Sequence, residues 1–380
     1  MSIFGSWIQM TALGFLVFDL TKSAVYLGIT GFAGGISAWF FTLYAGAAAD
    51  HYSKRTILIY SQIFAACLGL LLCILTGTHV IQAWHIVAMA FLSGTVAAIE
   101  APSRQAFVAE LVDKENLSNA ISLNSSLFNL GTAIGPALSG ILYLAVGPTV
   151  CFGINAVSYV PFIFGLSIIR IPKRKRSPHT RPSIAKIKAG INYSLSDSLS
   201  LPLMTMVAII SMFGFSIFSL MPAWSVSVLH GNAGTNGMLQ SARGIGALTG
   251  ALTIAARGHG ERRGRLLCIG ALTYPAILIA FAFTTTLALA MICTALIGAC
   301  FVIVYNTANM LLQSRAPDAI RGRVMSMYML SFLGTAPLGS LVGGFAAHAF
   351  GERSALVLCA ITALGLISAL IARSPYLRRH

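Results

Sequence analysis

Long apolar stretches alternate with short polar connections along the whole chain. Each stretch is close to the roughly 20 residues that a helix needs to cross the hydrocarbon core of a bilayer. The pattern predicts twelve membrane-spanning helices and hence an all-α membrane protein. The predicted spans are residues 3–19, 24–48, 56–77, 83–102, 119–144, 147–169, 201–226, 235–256, 266–284, 287–312, 323–348 and 352–372.

One long connection divides the predicted spans into two sets of six. It is polar, contains proline and carries the basic run 173–176. We predict an N-terminal six-helix half at 1–169, a linker at 170–200 and a C-terminal six-helix half at 201–380. The first span begins at Ile3 with no basic residue before it, which argues against a secretory signal peptide. This start leaves open a first helix shortened by a truncated gene or a misassigned start codon.

The composition supports a membrane protein and excludes other classes. Hydrophobic residues make up 57% of the chain and charged residues 9%, against about 25% charged residues in soluble domains. The net charge of +15 could suggest nucleic acid binding, but the charges lie in short runs between apolar stretches, as in membrane proteins. The seven cysteines lie inside apolar stretches without metal or disulfide spacing, and we interpret them as buried hydrophobic residues.

The basic residues predict the orientation in the membrane. Of the 25 Lys and Arg residues, 22 fall in the linker, in alternate loops or in the C-terminal tail. The opposite side holds Lys22 and Arg353, and Arg243 lies within a span. Because basic residues are enriched in cytoplasmic loops, we predict that the linker and both termini are cytoplasmic.

The two halves carry an internal repeat. A shift of 204 residues superposes spans two to six on spans eight to twelve, and it aligns five pairs of glycines. The pairs are Gly46 with Gly250, Gly94 with Gly298, Gly135 with Gly339, Gly140 with Gly344 and Gly147 with Gly351. Two like-oriented six-helix halves joined by a long cytoplasmic linker form the parallel repeat of one transporter class, whose site lies near the midplane between the halves.

The connection after the second span carries a recognisable motif. Its sequence places Gly46 four residues before Asp50, followed by the basic pair Lys54 and Arg55. This resembles the loop signature of the major facilitator superfamily, although an ordinary basic turn would also fit. The resemblance implies that Asp50 acts as a cytoplasmic latch. The second copy has Ile254 in place of the aspartate, so a latch of this kind should be confined to the first half.

Further segments resemble one branch of that superfamily, which includes the enterobactin exporter and many bacterial efflux proteins. They are residues 7–9, 18–21, 100–105, 119–124 and 321–326, with Asn306, Gln313 and Pro317. The resemblance implies an inner-membrane exporter that works by alternating access with proton antiport; the substrate is not specified. Residues 131–140 partly resemble the antiporter motif, and Gly135 and Pro136 there serve either as a packing hinge or as an antiport determinant.

Polar residues inside spans are costly to bury and are therefore functional candidates. Arg243 lies eight residues into span eight, roughly 12 Å at 1.5 Å per residue. It could pair with Asp19 as an outer gate, bind an anionic substrate or extend to the surface. The substrate or cavity candidates are Gln9, Arg243, Tyr305, Asn306 and Asn309. The gating or coupling candidates are Asp19, Gly46, Asp50, Lys54, Arg55, Glu100, Arg104, Gly135, Pro136, Arg321 and Arg323.

The sequence lacks the signatures of other functions. It contains neither a phosphate-binding GxxxxGK[ST] loop nor an HExxH or paired CxxC motif, so we expect no ATP drive, no metal and no enzymatic activity. We predict a monomeric secondary transporter, without a cofactor, that exports a small organic molecule. The substrate is an anionic metabolite such as a siderophore, or a hydrophobic drug. The remaining alternative is a truncated, transport-inactive homologue.

Overall fold

The computed structural model describes residues 2–51, 53–113, 115–169, 193–194, 196–257, 262–317 and 320–374, with only the backbone at 42–51, 109–110, 117–118, 257 and 262. Every regular element in this part of the chain is helical. The helices are α1 (Ser2–Thr21), α2 (Ala24–His51), α3 (Lys54–Gly77), α4 (Ala83–Leu111), α5 (Leu117–Ile168), α6 (Ser200–Ala223), α7 (Ala233–Arg257), α8 (Arg262–Ala282), α9 (Leu287–Arg315), α10 (Arg321–Leu333), α11 (Ala336–Phe350) and α12 (Glu352–Arg373). A π-helical turn, Trp224–Val228, extends α6.

The helices match the predicted spans, with two differences. The fifth and sixth spans form the single long helix α5, which is broken in its backbone geometry only at Gly147. The eleventh span is divided into α10 and α11 by a short turn at Gly334 and Thr335. Within the described residues, ten helical segments are long and apolar enough to cross a membrane. The predicted eighth span, α7, is not among the ten. One of the ten, Asn119–Ile168, has 50 residues. At 1.5 Å per residue that segment is about 75 Å long, enough for two crossings of a core of about 30 Å.

The predicted repeat recurs in the backbone. Gly147 has φ 80° and ψ 170°, and its predicted partner Gly351 has φ 82° and ψ 156°. Positive φ values are readily adopted by glycine because it lacks a Cβ atom. Each glycine therefore marks the junction between the fifth and sixth spans of its half.

Other aligned glycines occupy equivalent packing positions. A Cβ atom on Gly94 would collide with the Gly34 carbonyl, where α4 crosses α2, and one on Gly298 would collide with the Arg243 carbonyl, where α9 crosses α7. Gly135 likewise lies against Trp7 of α1. Its partner, Gly339 of α11, lies against the Met212 carbonyl of α6. The fold is therefore the predicted one, with two six-helix halves related by a parallel repeat.

The chain divides into two compact units, Met1–His179 with His230–Ser241, and Thr180–Leu229 with Ala242–His380. A buried cluster of Leu58, Phe107 and Leu166 joins α3, α4 and the end of α5 in the first unit. In the second unit the largest fully buried side chains include Trp224, Tyr274, Tyr328 and Phe281. The predicted linker lies mostly outside the described residues, and the predicted domain boundaries stay predictions.

Candidate transport site

Arg243 is a charged residue within the second unit that is held by an aromatic ring. Its guanidinium carbon lies 4.4 Å from the centre of the Phe218 ring on α6. A guanidinium at this distance from a ring face gains a cation–π attraction, which is larger when water is excluded. The Arg243 Nε atom is buried and has no hydrogen-bond partner among the described residues. The ring therefore stabilises the charge but leaves a hydrogen-bond donor unused.

The second half of the sequence offers no carboxylate within its predicted spans other than Glu352, the first residue of the last span. Between Asp197 and Glu352 the chain has two acidic residues, Glu261 and Asp318, and both lie in connections between predicted spans. A buried guanidinium usually pairs with a carboxylate, because an unpaired charge is costly to remove from water. The membrane part of the second half thus carries a positive charge without an acidic side chain of its own to neutralise it.

Tyr274 brings a second unused donor to the same turn of α6. It lies on α8, is fully buried, and its hydroxyl has no hydrogen-bond partner in the described part of the chain. A Cβ atom on Gly214 would overlap that hydroxyl, so the glycine makes the room that the phenol occupies. Gly214 precedes Phe218 by four residues, which is about one helical turn. Arg243 and Tyr274 are also close enough to interact electrostatically.

The Phe218 ring belongs to an aromatic cluster formed by α6, α9 and α10. Its centre lies 6.4 Å from that of Phe301, and the Phe301 ring stacks on Tyr305 at 6.1 Å with an interplanar angle of 5°. Phe332 lies 4.7 Å from Tyr305 and 5.8 Å from Phe215. The cluster therefore extends from the Arg243 guanidinium to the predicted candidate Tyr305.

The predicted polar candidates of α9 lie beside this aromatic cluster. The Tyr305 hydroxyl donates to the sulfur of Met329 at 3.4 Å, and the Tyr305 carbonyl accepts a 2.6 Å hydrogen bond from the Tyr328 hydroxyl. Asn306 and Asn309 are both half-buried, and Asn309 accepts a 2.6 Å hydrogen bond from Gln313. Partly accessible amides beside aromatic rings could hydrogen-bond a small molecule. Their role as substrate contacts stays a prediction.

Gln9 lies in a different environment, inside the first unit. It is buried, and its side-chain oxygen accepts a 2.7 Å hydrogen bond from the Asn155 amide. Asn155 also lies 3.4 Å from the Tyr159 hydroxyl, which is 3.0 Å from the Ser6 hydroxyl. This network links α1 to the second part of α5, so it accounts for the burial of Gln9 through helix packing. A contact between Gln9 and substrate stays a prediction.

The predicted pair of Glu100 and Arg104 forms an ion pair on one face of α4. The Arg104 guanidinium also lies 5.4 Å from the centre of the Phe162 ring near the end of α5. On α3, Arg55 donates a hydrogen bond to the Ser167 carbonyl at that end of α5. These contacts tie three helix ends of the first unit together, beside the Leu58 cluster.

The remaining candidates fall in several places. Asp19 forms an exposed 2.6 Å ion pair with Lys22. Lys54 begins α3. Gly46 and Asp50 lie in the part of α2 that is described only in its backbone. Arg321 and Arg323 occupy the first turn of α10.

The residues that resemble the antiporter motif pack against two helices. Gly135 contacts Trp7, whereas Gly140 contacts Ala233 and Gly234 at the start of α7. The Ala137 amide, next to Pro136, donates a 2.8 Å hydrogen bond to the Ser241 hydroxyl. The motif therefore serves helix packing in this structure, and its role in antiport stays a prediction.

A family model described as "Transmembrane secretion effector" matches residues 1–379. The chain belongs to this family of the major facilitator superfamily. The match confirms the resemblance drawn from the loop signature and from the exporter-like segments. It covers nearly the whole chain and includes every candidate residue named above.

Individual relatives of this family member fall into two groups by name. The staphyloferrin A transporter of Staphylococcus aureus is 27% identical over 91% of this chain and 87% of that protein. The enterobactin exporter EntS of Citrobacter koseri is 26% identical over 89% and 78% of the two chains. The multidrug efflux pump Tap of Mycolicibacterium fortuitum is 24% identical over 97% and 92%.

Solved structures show the same fold. An inward-facing bacterial homologue of the lysosomal transporter Spinster matches with a TM-score of 0.77 at 13% identity, over 99% of this chain and 96% of that one. The nucleoside transporter NupG matches with a TM-score of 0.75 at 14% identity, over 98% and 96%. By its family and its named relatives, the chain is a multi-pass membrane transporter with a small-molecule substrate.

Proposed function

We propose that this protein is a secondary active exporter of a small organic anion in a bacterial inner membrane. Export proceeds by alternating access and is driven by proton antiport. The named relatives that transport siderophores or drugs support export of an organic molecule. The sequence contains no phosphate-binding loop for ATP, which supports an ion gradient as the energy source.

The observation that carries the anionic substrate class is Arg243 without a carboxylate. A drug pump for organic cations usually needs a negative charge at depth, and the spans of the second half have none. A positive charge beside an aromatic wall would instead favour an acidic molecule with apolar or ring-containing parts. The planar guanidinium can donate two parallel hydrogen bonds to a carboxylate or to catecholate oxygens.

A second candidate function, efflux of uncharged hydrophobic compounds, is favoured by the aromatic cluster itself. Neighbouring rings among Phe215, Phe301, Tyr305 and Phe332 have centres 4.7 to 6.1 Å apart in that cluster. Such a surface would bind apolar molecules through burial of their surface. The two candidates differ in whether transport depends on the negative charge of the substrate.

The test is transport by the purified protein in liposomes with an imposed proton gradient. We expect uptake of radiolabelled carboxylate or catecholate siderophores into liposomes with an acidic interior, and collapse of uptake on addition of a protonophore. Neutral hydrophobic dyes should be transported poorly. Dye transport without siderophore transport would favour the second candidate, and no gradient-driven transport of either class would support the inactive alternative.

A matched pair of variants tests the proton coupling. Glu100 is a carboxylate inside a predicted span, and it forms an ion pair with Arg104. Glu100→Gln should abolish the dependence of transport on the proton gradient while substrate binding persists. Glu352→Gln removes a carboxylate at the end of a span and should leave the dependence unchanged. Equal behaviour of the two variants would exclude Glu100 as the coupling residue.

A further inference from the structure

We propose that Arg243 and Tyr274 together form a binding site for one small anionic group, either a carboxylate of the substrate or a chloride ion. The proposal rests on the proposed function in one respect, because one of the two possible occupants is a carboxylate of the transported substrate. It adds Tyr274, Phe218 and Gly214, which sequence reasoning did not select. It also adds an inorganic occupant that could fill the site between transport cycles.

Two buried hydrogen-bond donors are unused at this site. The Nε–H of Arg243 and the hydroxyl of Tyr274 are both buried, and neither has a hydrogen-bond partner among the described residues. They therefore do not bond to each other, although they lie within electrostatic range. Buried donors are nearly always satisfied in folded proteins. An anion that accepts from both atoms would satisfy them at once.

The positive charge of Arg243 also favours an anion at this site. The other contact that stabilises the Arg243 charge is the Phe218 ring at 4.4 Å, and a ring supplies only a partial negative charge. The two acidic residues between Asp197 and Glu352 lie in connections between predicted spans. Because the second half supplies no carboxylate within its predicted spans beyond the terminal Glu352, a mobile anion is the species that we propose balances the charge.

Close packing around the two donors limits the occupant to a small group. Tyr274 is fully buried and reaches α6 only because Gly214 has no side chain at the point of contact. The Phe218 ring covers the guanidinium from one side. A single carboxylate or a halide is compatible with this crowding, whereas a larger anion would have to leave most of its bulk towards the aromatic cluster.

The experiment measures anion binding directly, without transport. The purified full-length protein in detergent is incubated with radiolabelled chloride or radiolabelled benzoate, and bound label is counted on captured protein. We expect saturable binding at one site per chain and competition between the two anions. Arg243→Gln should lose the binding, and Tyr274→Phe should weaken it roughly tenfold, as expected for one hydrogen bond to a charged group.

Matched control variants separate the site from general effects of mutation. Arg353→Gln removes an exposed arginine at the start of α12, and Tyr159→Phe removes a buried hydroxyl in the first unit. Both should bind anions as the unmodified protein does. Size-exclusion profiles and thermal unfolding would show that Arg243→Gln is folded, and Arg243→Lys should retain weaker binding if Arg243→Gln is unstable.

The outcomes also distinguish the two possible occupants of the site, and they separate the anion site from the proposed function. Binding of chloride alone identifies an inorganic site, and binding of benzoate alone identifies a site for the acidic group of the substrate. Absence of saturable binding, or binding that persists in Arg243→Gln, would overturn this proposal. Anion binding without gradient-driven transport in liposomes would instead overturn the proposed function and leave the anion site standing.

Discussion

At the scale of single residues, the sequence identified the charge but not its surroundings. Arg243 is conspicuous because the apolar stretch around it makes a basic residue exceptional. Phe218 and Tyr274 are not conspicuous, since aromatic residues in an apolar span are equally typical of lipid-facing positions. Which of them meets Arg243 depends on how α6, α7 and α8 rotate against one another. That rotation is decided by packing, as at Gly214, and not by a local pattern.

Substitution of Arg243 gives the first prediction. Arg243→Gln should reduce export of an anionic substrate at least tenfold, because it removes the charge that a buried carboxylate would bind. Arg243→Lys should retain part of the activity, since the charge remains but the planar fork is lost. Initial transport rates in liposomes check this, with Arg353→Gln as control. Full export by Arg243→Gln would reject a substrate-binding role.

A double variant separates substrate binding from the gate hypothesis. If Arg243 closed an outer gate with Asp19, Asp19→Asn should partly rescue Arg243→Gln, because no lone buried charge would remain. We expect no rescue, since Asp19 already forms an exposed ion pair with Lys22 at 2.6 Å. Recovery of transport in the double variant would favour the gate.

Substitution of Gly214 gives the second prediction. Gly214→Ala places a methyl group where the Tyr274 hydroxyl lies, so we expect a loss of about 1–3 kcal/mol in the free energy of unfolding. Gly165→Ala, at a position with open space around the Cβ, should be neutral or stabilising because alanine favours the helix. Chemical denaturation in detergent compares the two. An equal effect at both positions would contradict the close packing of Tyr274.

At the scale of helices, the apolar pattern predicted the spans, and the structure refined their continuity. The two arms of α5 join through Gly147 without a loop, which length alone did not indicate. The eleventh span is interrupted because the Thr335 hydroxyl hydrogen-bonds the Ser331 and Ala208 carbonyls, and because Pro337 cannot donate a backbone hydrogen bond. The sequence shows the proline, but the contact of Thr335 with α6 exists only in the folded unit.

Paired glycine substitutions give the third prediction. Gly147→Ala and Gly351→Ala should each lower the free energy of unfolding by about 1–2 kcal/mol, because both backbones have positive φ. The cost is purely conformational, since open space surrounds both Cβ positions. Gly365→Ala, in open space on a regular helix, is the matched control and should not destabilise. Unfolding midpoints test this, and an unaffected Gly147→Ala would contradict the repeated junction.

At the scale of the whole molecule, the repeat was the most informative prediction. The shift of 204 residues aligned glycines that the structure places at equivalent crossings and junctions, because close helix approach and positive φ both select glycine at fixed places in each half. Gly46 and Asp50 were selected by the family signature, and only the backbone of this segment is described. The latch therefore stays a prediction, as does the orientation derived from the basic residues.

Labelling from outside the cell gives the fourth prediction and tests the orientation. The excess of Lys and Arg places the linker at 170–200 in the cytoplasm, and an odd number of spans between two positions places them on opposite sides. Ser177 and Gly231 are separated by one span, α6 with its π-helical turn. A membrane-impermeant thiol reagent applied to intact cells should therefore label Gly231→Cys but not Ser177→Cys, whereas permeabilised cells should show labelling of both.

The unmodified protein measures the contribution of its own seven cysteines, which the sequence places inside the spans. Labelling of Ser177→Cys alone in intact cells would contradict the orientation derived from the basic residues.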